Sequence, residues 1–267
     1  MLAFDYDGTL APFAVKASHA KMRASTARLF EAVCRRYPCV VISGRGRRDL
    51  AKLVTPSLGA TLIGNHGMER VRRRARDAAW KSAVQGWLKI LAPRLVSLPG
   101  VFLEDKGLSL CVHYRGVPDA PAVARAVRAA TADLASVRRV RGKLLLNLVP
   151  ADAPHKGDAL LEAMAAAGCE CALFVGDDVT DEDCFRLASN RSVLGVRVGR
   201  SERSRAAFFL ENQAQIDWLL GRLLALRPRL EVSILSQARA MPLADTARWQ
   251  GFPGIIAVSQ GRPYEGY

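Results

Sequence analysis

The chain has 267 residues, half of them hydrophobic, which is ample for one large domain or two small ones around a packed core. No apolar run reaches the roughly 18–20 residues that carry a helix across a bilayer, so a helical membrane protein is excluded. The net charge is +14, yet 31 of the 39 basic residues are Arg and they are spread along the whole chain. That distribution reads as a solvated basic surface that draws in anionic substrates, not as a nucleic-acid interface, and no common nucleic-acid motif is present.

In chain order, residues 1–4 form a short apolar run that reads as a buried parallel strand, and Asp5-Tyr6-Asp7-Gly8-Thr9-Leu10 follows it directly. These acids interrupt the run so early that no secretory leader is read. A helix is predicted over 19–37, then a strand over 39–42 ending in Ser43-Gly44-Arg45. A short helix at 47–54 leads to a strand at 60–63, which ends in Gly64-Asn65-His66-Gly67. Such alternation predicts a parallel, doubly wound α/β sheet.

The pattern changes after residue 69. An amphipathic helix over 78–96 precedes strands at 101–104 and 108–114, and a helix over 122–135 precedes strands at 137–140 and 144–149. Strands grouped as hairpins around two helices predict a small α+β domain inserted over 70–151. From His155 the alternation resumes: helix 156–167, strand 172–175, an acidic turn, strand 193–198 and helix 211–226. The core is therefore expected to comprise 1–69 and 152–226, with 227–267 as a loosely ordered tail. Six cysteines without metal-ligand spacing read as reduced thiols, and the cytoplasm is the expected location.

Two acidic turns, the one at Asp5 and Gly176-Asp177-Asp178-Val179-Thr180-Asp181, both follow apolar strands. In an open α/β sheet such turns meet at the carboxyl ends of the strands, and they would repel each other without a cation between them. Oxygen ligands with no nearby His or Cys point to Mg²⁺, held by Asp5, Asp7 and Asp177, with Asp178 and Asp181 supporting it directly or through water. Asp5 is the expected nucleophile and Asp7 the general acid/base. Ser43 is placed to donate to a transferring phosphoryl group, Arg45 to neutralise phosphate charge, and Lys156 to neutralise charge between Asp5 and phosphate.

These positions, in this order, resemble the haloacid dehalogenase superfamily of Mg²⁺-dependent phosphatases, whose four signature segments are all matched. Within it the chain is similar to the trehalose-6-phosphate phosphatases over roughly residues 1–225. The specific markers are Ser43-Gly44-Arg45, Gly64-Asn65-His66-Gly67, Glu104-Asp105-Lys106-Gly107-Leu108-Ser109, His113-Tyr114-Arg115 and Gly142-Lys143. The resemblance implies a Rossmannoid parallel-sheet core with an inserted α+β cap that selects a sugar-phosphate substrate. It also implies that Glu104, Lys106, Arg115 and Lys143 bind sugar hydroxyls. Where that family usually carries Glu, four residues after the lysine, this chain has Asn147, which bears on sugar preference. Phosphatases of the same fold for sucrose or mannosyl-glycerate phosphates, and a non-catalytic regulatory protein, are the alternatives.

Overall fold

The computed structural model describes residues 1–14, 19–54, 59–70, 75–142, 144–187 and 192–227, and the backbone of a short strand at Ile256–Ala257. The first βα units are β1 (Leu2–Phe4), α1 (Ala24–Cys34), β2 (Cys39–Ile42), α2 (Arg47–Leu53) and β3 (Thr61–Ile63). Then come α3 (Asp77–Leu95), β4 (Phe102–Asp105), β5 (Leu110–His113), α4 (Ala120–Ala130), β6 (Val137–Gly142) and β7 (Leu145–Pro150). The remainder is α5 (Lys156–Ala166), β8 (Ala172–Gly176), α6 (Glu182–Phe185), β9 (Val193–Val198), β10 (Phe208–Leu210), α7 (Ile216–Leu226) and β11 (Ile256–Ala257).

The larger sheet runs β11-β10-β9-β8-β1-β2-β3, parallel throughout except for β11. Its central strands are apolar runs because both faces are covered. Leu2 and Phe4 face Phe30 of α1 and Leu219 and Leu223 of α7, while Ala3 faces Leu160, Ala163 and Met164 of α5. β1 pairs with β2 on one side and β8 on the other, so the strand order reverses at β1. The crevice at such a reversal is where α/β sheets place ligands. The α/β fold expected from the sequence is thus observed.

A second, antiparallel sheet, β4-β5-β7-β6, is made wholly from the stretch between α3 and α5. Leu110, Val112, Leu146 and Leu148 point to one face and pack on Val84, Trp87 and Leu91 of α3 and Val127 of α4. The alternate residues point the other way, towards the carboxyl ends of the larger sheet. Among the described residues no helix is long and apolar enough to cross a membrane.

Three expectations need correction. The helix expected over 19–37 spans only Ala24–Cys34: Arg23 before it is extended, and the carbonyl of Ala20 is taken by the buried Tyr6 hydroxyl (3.2 Å). The last helix starts at Ile216, not 211, since Asn212 caps a separate 3-10 turn by accepting the Ala214 N–H (3.0 Å). β10 and β11 were not foreseen. Part of the stretch read as a tail therefore pairs with the sheet, and residues 228–255 and 258–267 lie outside the described residues.

The amino end of α1 has no side-chain cap, and the side chains of its first residues are tied instead to Asp217 of α7. Asp217 accepts from Ser25 (2.6 Å), from Thr26 and from Arg23 (3.2 Å). Burial opposes its ionisation, but these donors outweigh burial and hold its carboxyl below the usual range. A depressed folded pKa stabilises the protein above the unfolded value, near ~3.9, and that contribution is lost as pH falls through the folded value. Asp217→Ala is therefore expected to cost about 1 kcal/mol at pH 7. The difference, read from urea midpoints, should close in acid; a gap that persists at the lowest pH would contradict this assignment.

Candidate active site

Asp5 still lies in line with the sheet, its N–H bonded to Val175 of β8 (2.8 Å). The chain then bends, Ala11 and Thr9 returning their N–H groups to the Tyr6 carbonyl (2.9 and 3.3 Å), while Tyr6, Leu10 and Ala11 anchor the loop in the core. Gln213 ties the loop from outside by donating to the Thr9 carbonyl (2.8 Å). Gly8 adopts φ +87°, and a Cβ there would lie 2.3 Å from Asp177 Oδ2. Only glycine lets the two acidic turns come this close.

Because Phe4 pairs with Val175, Asp177 emerges beside Asp5. Carboxylate oxygens of Asp5, Asp177 and Asp181 all lie within 4.8 Å of one another. Lys156, the first residue of α5 and only 2% exposed, donates to Asp5 Oδ1 (2.9 Å) and Asp181 Oδ1 (2.8 Å). The other oxygen of Asp181 accepts the N–H groups of Asp177 and Asp178 (2.9 Å each), which fixes the acidic turn. Arg197 of β9 holds the same turn from behind, through the Asp177 carbonyl (2.6 Å) and Glu182 (3.1 Å).

The electrostatics follow from burial. Desolvation disfavours the Lys156 ammonium, but Asp181 and Asp5 outweigh it and hold its pKa well above the usual lysine value. Burial pushes Asp5 well up; Lys156 opposes this, and Asp181 and Asp177 reinforce it. Three carboxylates face one ammonium, with only oxygen donors in the group. That donor set and charge suit a hard divalent cation.

Asp7 stands apart from the three. Both its oxygens accept from Arg45, Nε and a terminal nitrogen each at 2.6 Å, so the guanidinium expected on phosphate is paired with this acid. Ser43 is buried at the end of β2, and its Oγ accepts the Arg45 N–H (3.2 Å). Asp5, Asp7, Ser43, Arg45, Lys156, Asp177 and Asp178 all line one cavity of about 1010 Å³.

The second sheet forms the facing wall. Lys106 reaches across to the Gly44 carbonyl (3.2 Å) and pairs with Glu104 (3.7 Å), and Glu104 also bonds His113 (2.7 Å). Burial opposes ionisation of Glu104, but His113 and Lys106 outweigh it and hold the carboxyl below its ordinary value. Arg115 donates to the Ala14 carbonyl (2.8 Å), its guanidinium 4.4 Å from the Phe13 ring centroid. Asn147 is buried at the wall, and its Oδ1 has no hydrogen-bond partner among the described residues. Lys143 lies outside the described residues.

Several contributors carried no spacing signal. Asn65, fully buried, clasps the two sheets together: its amide donates to the Lys106 carbonyl (3.1 Å) and accepts the Ser109 hydroxyl (2.7 Å). This accounts for Gly64-Asn65-His66-Gly67 as a motif, since Asn65 and His66 both take left-handed backbone angles. The His66 ring is held neutral, its pKa pushed well down by burial and then by Lys156 and Lys106. Phe102, Phe13 and His113 also line the cavity.

A family model described as Trehalose-phosphatase matches residues 3–214. The chain is 27% identical over 240 residues to the probable trehalose-phosphate phosphatase 4 of Oryza sativa subsp. japonica, covering 84% of this chain and 65% of that protein. It thus spans about two thirds of the length of the curated relatives it matches. Among solved structures, the C-terminal domain of the C. albicans trehalose-6-phosphate phosphatase has a similar fold, with TM-score 0.69 and 22% identity over 85% of this chain and 93% of that one. A haloacid dehalogenase-like hydrolase from Bacteroides thetaiotaomicron shares the fold at TM-score 0.54 and 14% identity, over 83% and 98%.

Proposed function

Because the chain belongs to the trehalose-phosphatase family, we propose that it hydrolyses trehalose 6-phosphate to trehalose and phosphate through an aspartyl phosphate on Asp5. The observation that carries this is the buried group of Asp5, Asp177, Asp181 and Lys156 at the floor of a cavity large enough for a disaccharide. In this reading residues 1–69 and 152–226 are the catalytic core, 70–151 the cap and 227–267 a tail. The protein works in the cytoplasm and takes no nucleic acid.

Asp5 attacks phosphorus, and the P–O bond to the sugar breaks. Asp7, oriented by Arg45, protonates the leaving alkoxide and then takes a proton from the water that hydrolyses the acyl phosphate. Ser43 and Lys156 stabilise the oxygens of the transferring group. A bound Mg²⁺ would be held by Asp5 and Asp177, with Asp178 and Asp181 behind them and Asp7 joining once its carboxylate leaves Arg45, and it would neutralise phosphate charge. Glu104, Lys106, Arg115, Lys143 and Asn147 bind sugar hydroxyls, the unpaired Asn147 Oδ1 offering an acceptor that a hydroxyl would fill.

The test is phosphate release from trehalose 6-phosphate with Mg²⁺ and after chelation. Release is expected only with the metal, and its restoration on adding Mg²⁺ back is part of the expectation. Asn147, in place of the family's Glu, favours one second reading: another sugar phosphate of the sucrose or mannosyl-glycerate type. A panel of sugar phosphates separates the two. Failure to release phosphate from any of them would sink the function and leave the fold.

A further inference from the structure

The sheet facing the cavity carries its side chains in cross-strand rows. Glu104, Cys111 and Asn147 form one row, and Phe102, His113, Leu145 and Gly142 form the next. The second row lies two residues further from the point where Lys106 meets Gly44, beside Ser43. Two residues of antiparallel strand advance about 7 Å, comparable to the step from one linked pyranose ring to the next. The outer row therefore stands about one sugar ring further from the phosphate end than Glu104 and Asn147.

The inner row brings the polar groups of Glu104 and Asn147 to the cavity, and the outer one brings the aromatic rings of Phe102 and His113. Phe102 is 57% exposed and lines the cavity, stacked on the His113 ring with centroids 4.4 Å apart and planes at 7°. His113 is itself fixed by its bond to Glu104 (2.7 Å). Gly142 keeps the far end of the row low, since a Cβ there would lie 2.7 Å from Leu145. Phe102 contributes little to the core behind the sheet, and an exposed aromatic beside convergent polar groups is how ligand pockets are built.

We propose that Phe102, backed by His113, is a stacking subsite for the apolar face of the sugar ring that does not carry the phosphate. The proposal rests on the sugar-phosphate reading above and adds the element that tells a disaccharide phosphate from a monosaccharide phosphate. The π face of the ring is electronegative and the axial C–H groups of a pyranose are weakly positive, so the two faces attract as they exclude water. Ring hydroxyls point outward from such a stack, where Glu104 can reach them.

The test compares wild type, Phe102→Ala and Phe102→Trp on trehalose 6-phosphate and on glucose 6-phosphate. Truncation is expected to raise KM for the disaccharide phosphate about three- to tenfold, with kcat nearly constant. The ratio of kcat/KM between the two substrates should fall in the Ala variant and return in the Trp variant. Equal losses on both substrates, or no change on the disaccharide, would overturn the subsite while wild-type turnover of trehalose 6-phosphate upholds the proposed function. A wild type inactive on every disaccharide phosphate overturns the proposed function and the subsite with it.

Discussion

Asp5→Asn is expected to cut release of phosphate from trehalose 6-phosphate by at least about 10⁴-fold, the scale on which loss of a nucleophile is felt. The amide is nearly isosteric with the carboxylate but cannot form the acyl phosphate. Folding is not expected to share the loss. Asp5 is one of three clustered acids, so the substitution relieves repulsion from Asp177 and Asp181 as it removes one partner of Lys156. Lys156 keeps its bond to Asp181 (2.8 Å). A thermal melt should therefore place the variant close to wild type, and rapid-quench labelling should find no phosphoenzyme. Substantial turnover by the Asn variant would refute nucleophilic attack by Asp5.

The second large effect concerns Lys156, where stability and chemistry are joined. Lys156→Met keeps the length of the side chain but leaves Asp5 and Asp181 buried without their cation, which is expected to cost about 3–5 kcal/mol. The sign with pH follows from its raised pKa. The contribution is present below the unfolded value, about 10.4, and is lost only as pH rises through the still higher folded value, so the deficit should hold across neutral pH. Activity should fall by about 10²–10³-fold, as when an electrostatic donor is removed from a reacting group. Adding Mg²⁺ should recover part of the stability, because a divalent cation between the acids replaces the missing charge, but not the activity. Urea titrations with and without the metal read this directly. Wild-type stability of the variant in metal-free buffer would show that the pair is not what holds the acids together.

Legibility in the sequence tracked locality. Runs such as Cys39–Ile42 and Ala172–Gly176 are apolar because both sheet faces are covered, so burial wrote the strands plainly. Phe208–Leu210 has the same cause and ends a five-residue apolar run, but Arg205 and Glu211 flank that run with no Gly or Pro to mark its ends. The acidic turns were legible because each follows its strand at once, and sheet pairing then brings Asp5 to Asp177 and Asp181. Partnerships set by three-dimensional approach were not. Arg45 was expected to meet phosphate, yet the bend after β1 delivers Asp7 to it. Asn65 clasps a sheet that begins some forty residues later, and no periodicity encodes that. The Phe102–His113 stack exists only through the register of β4 on β5, which depends on where the intervening turn closes.

The placement of β1 between β2 and β8 also orders the birth of the protein. As the chain leaves the ribosome, β1, β2 and β3 can pair at once, but the other flank of β1 has no neighbour until residues 172–176 have been made. Throughout that interval a wholly apolar strand presents unpaired N–H and C=O groups, a template for joining other nascent chains. The antiparallel sheet, whose strands all lie between residues 102 and 150, has its partners to hand much earlier and can form while β1 waits. The two acidic turns can therefore meet only after the whole antiparallel sheet that lies between them in the chain has been made.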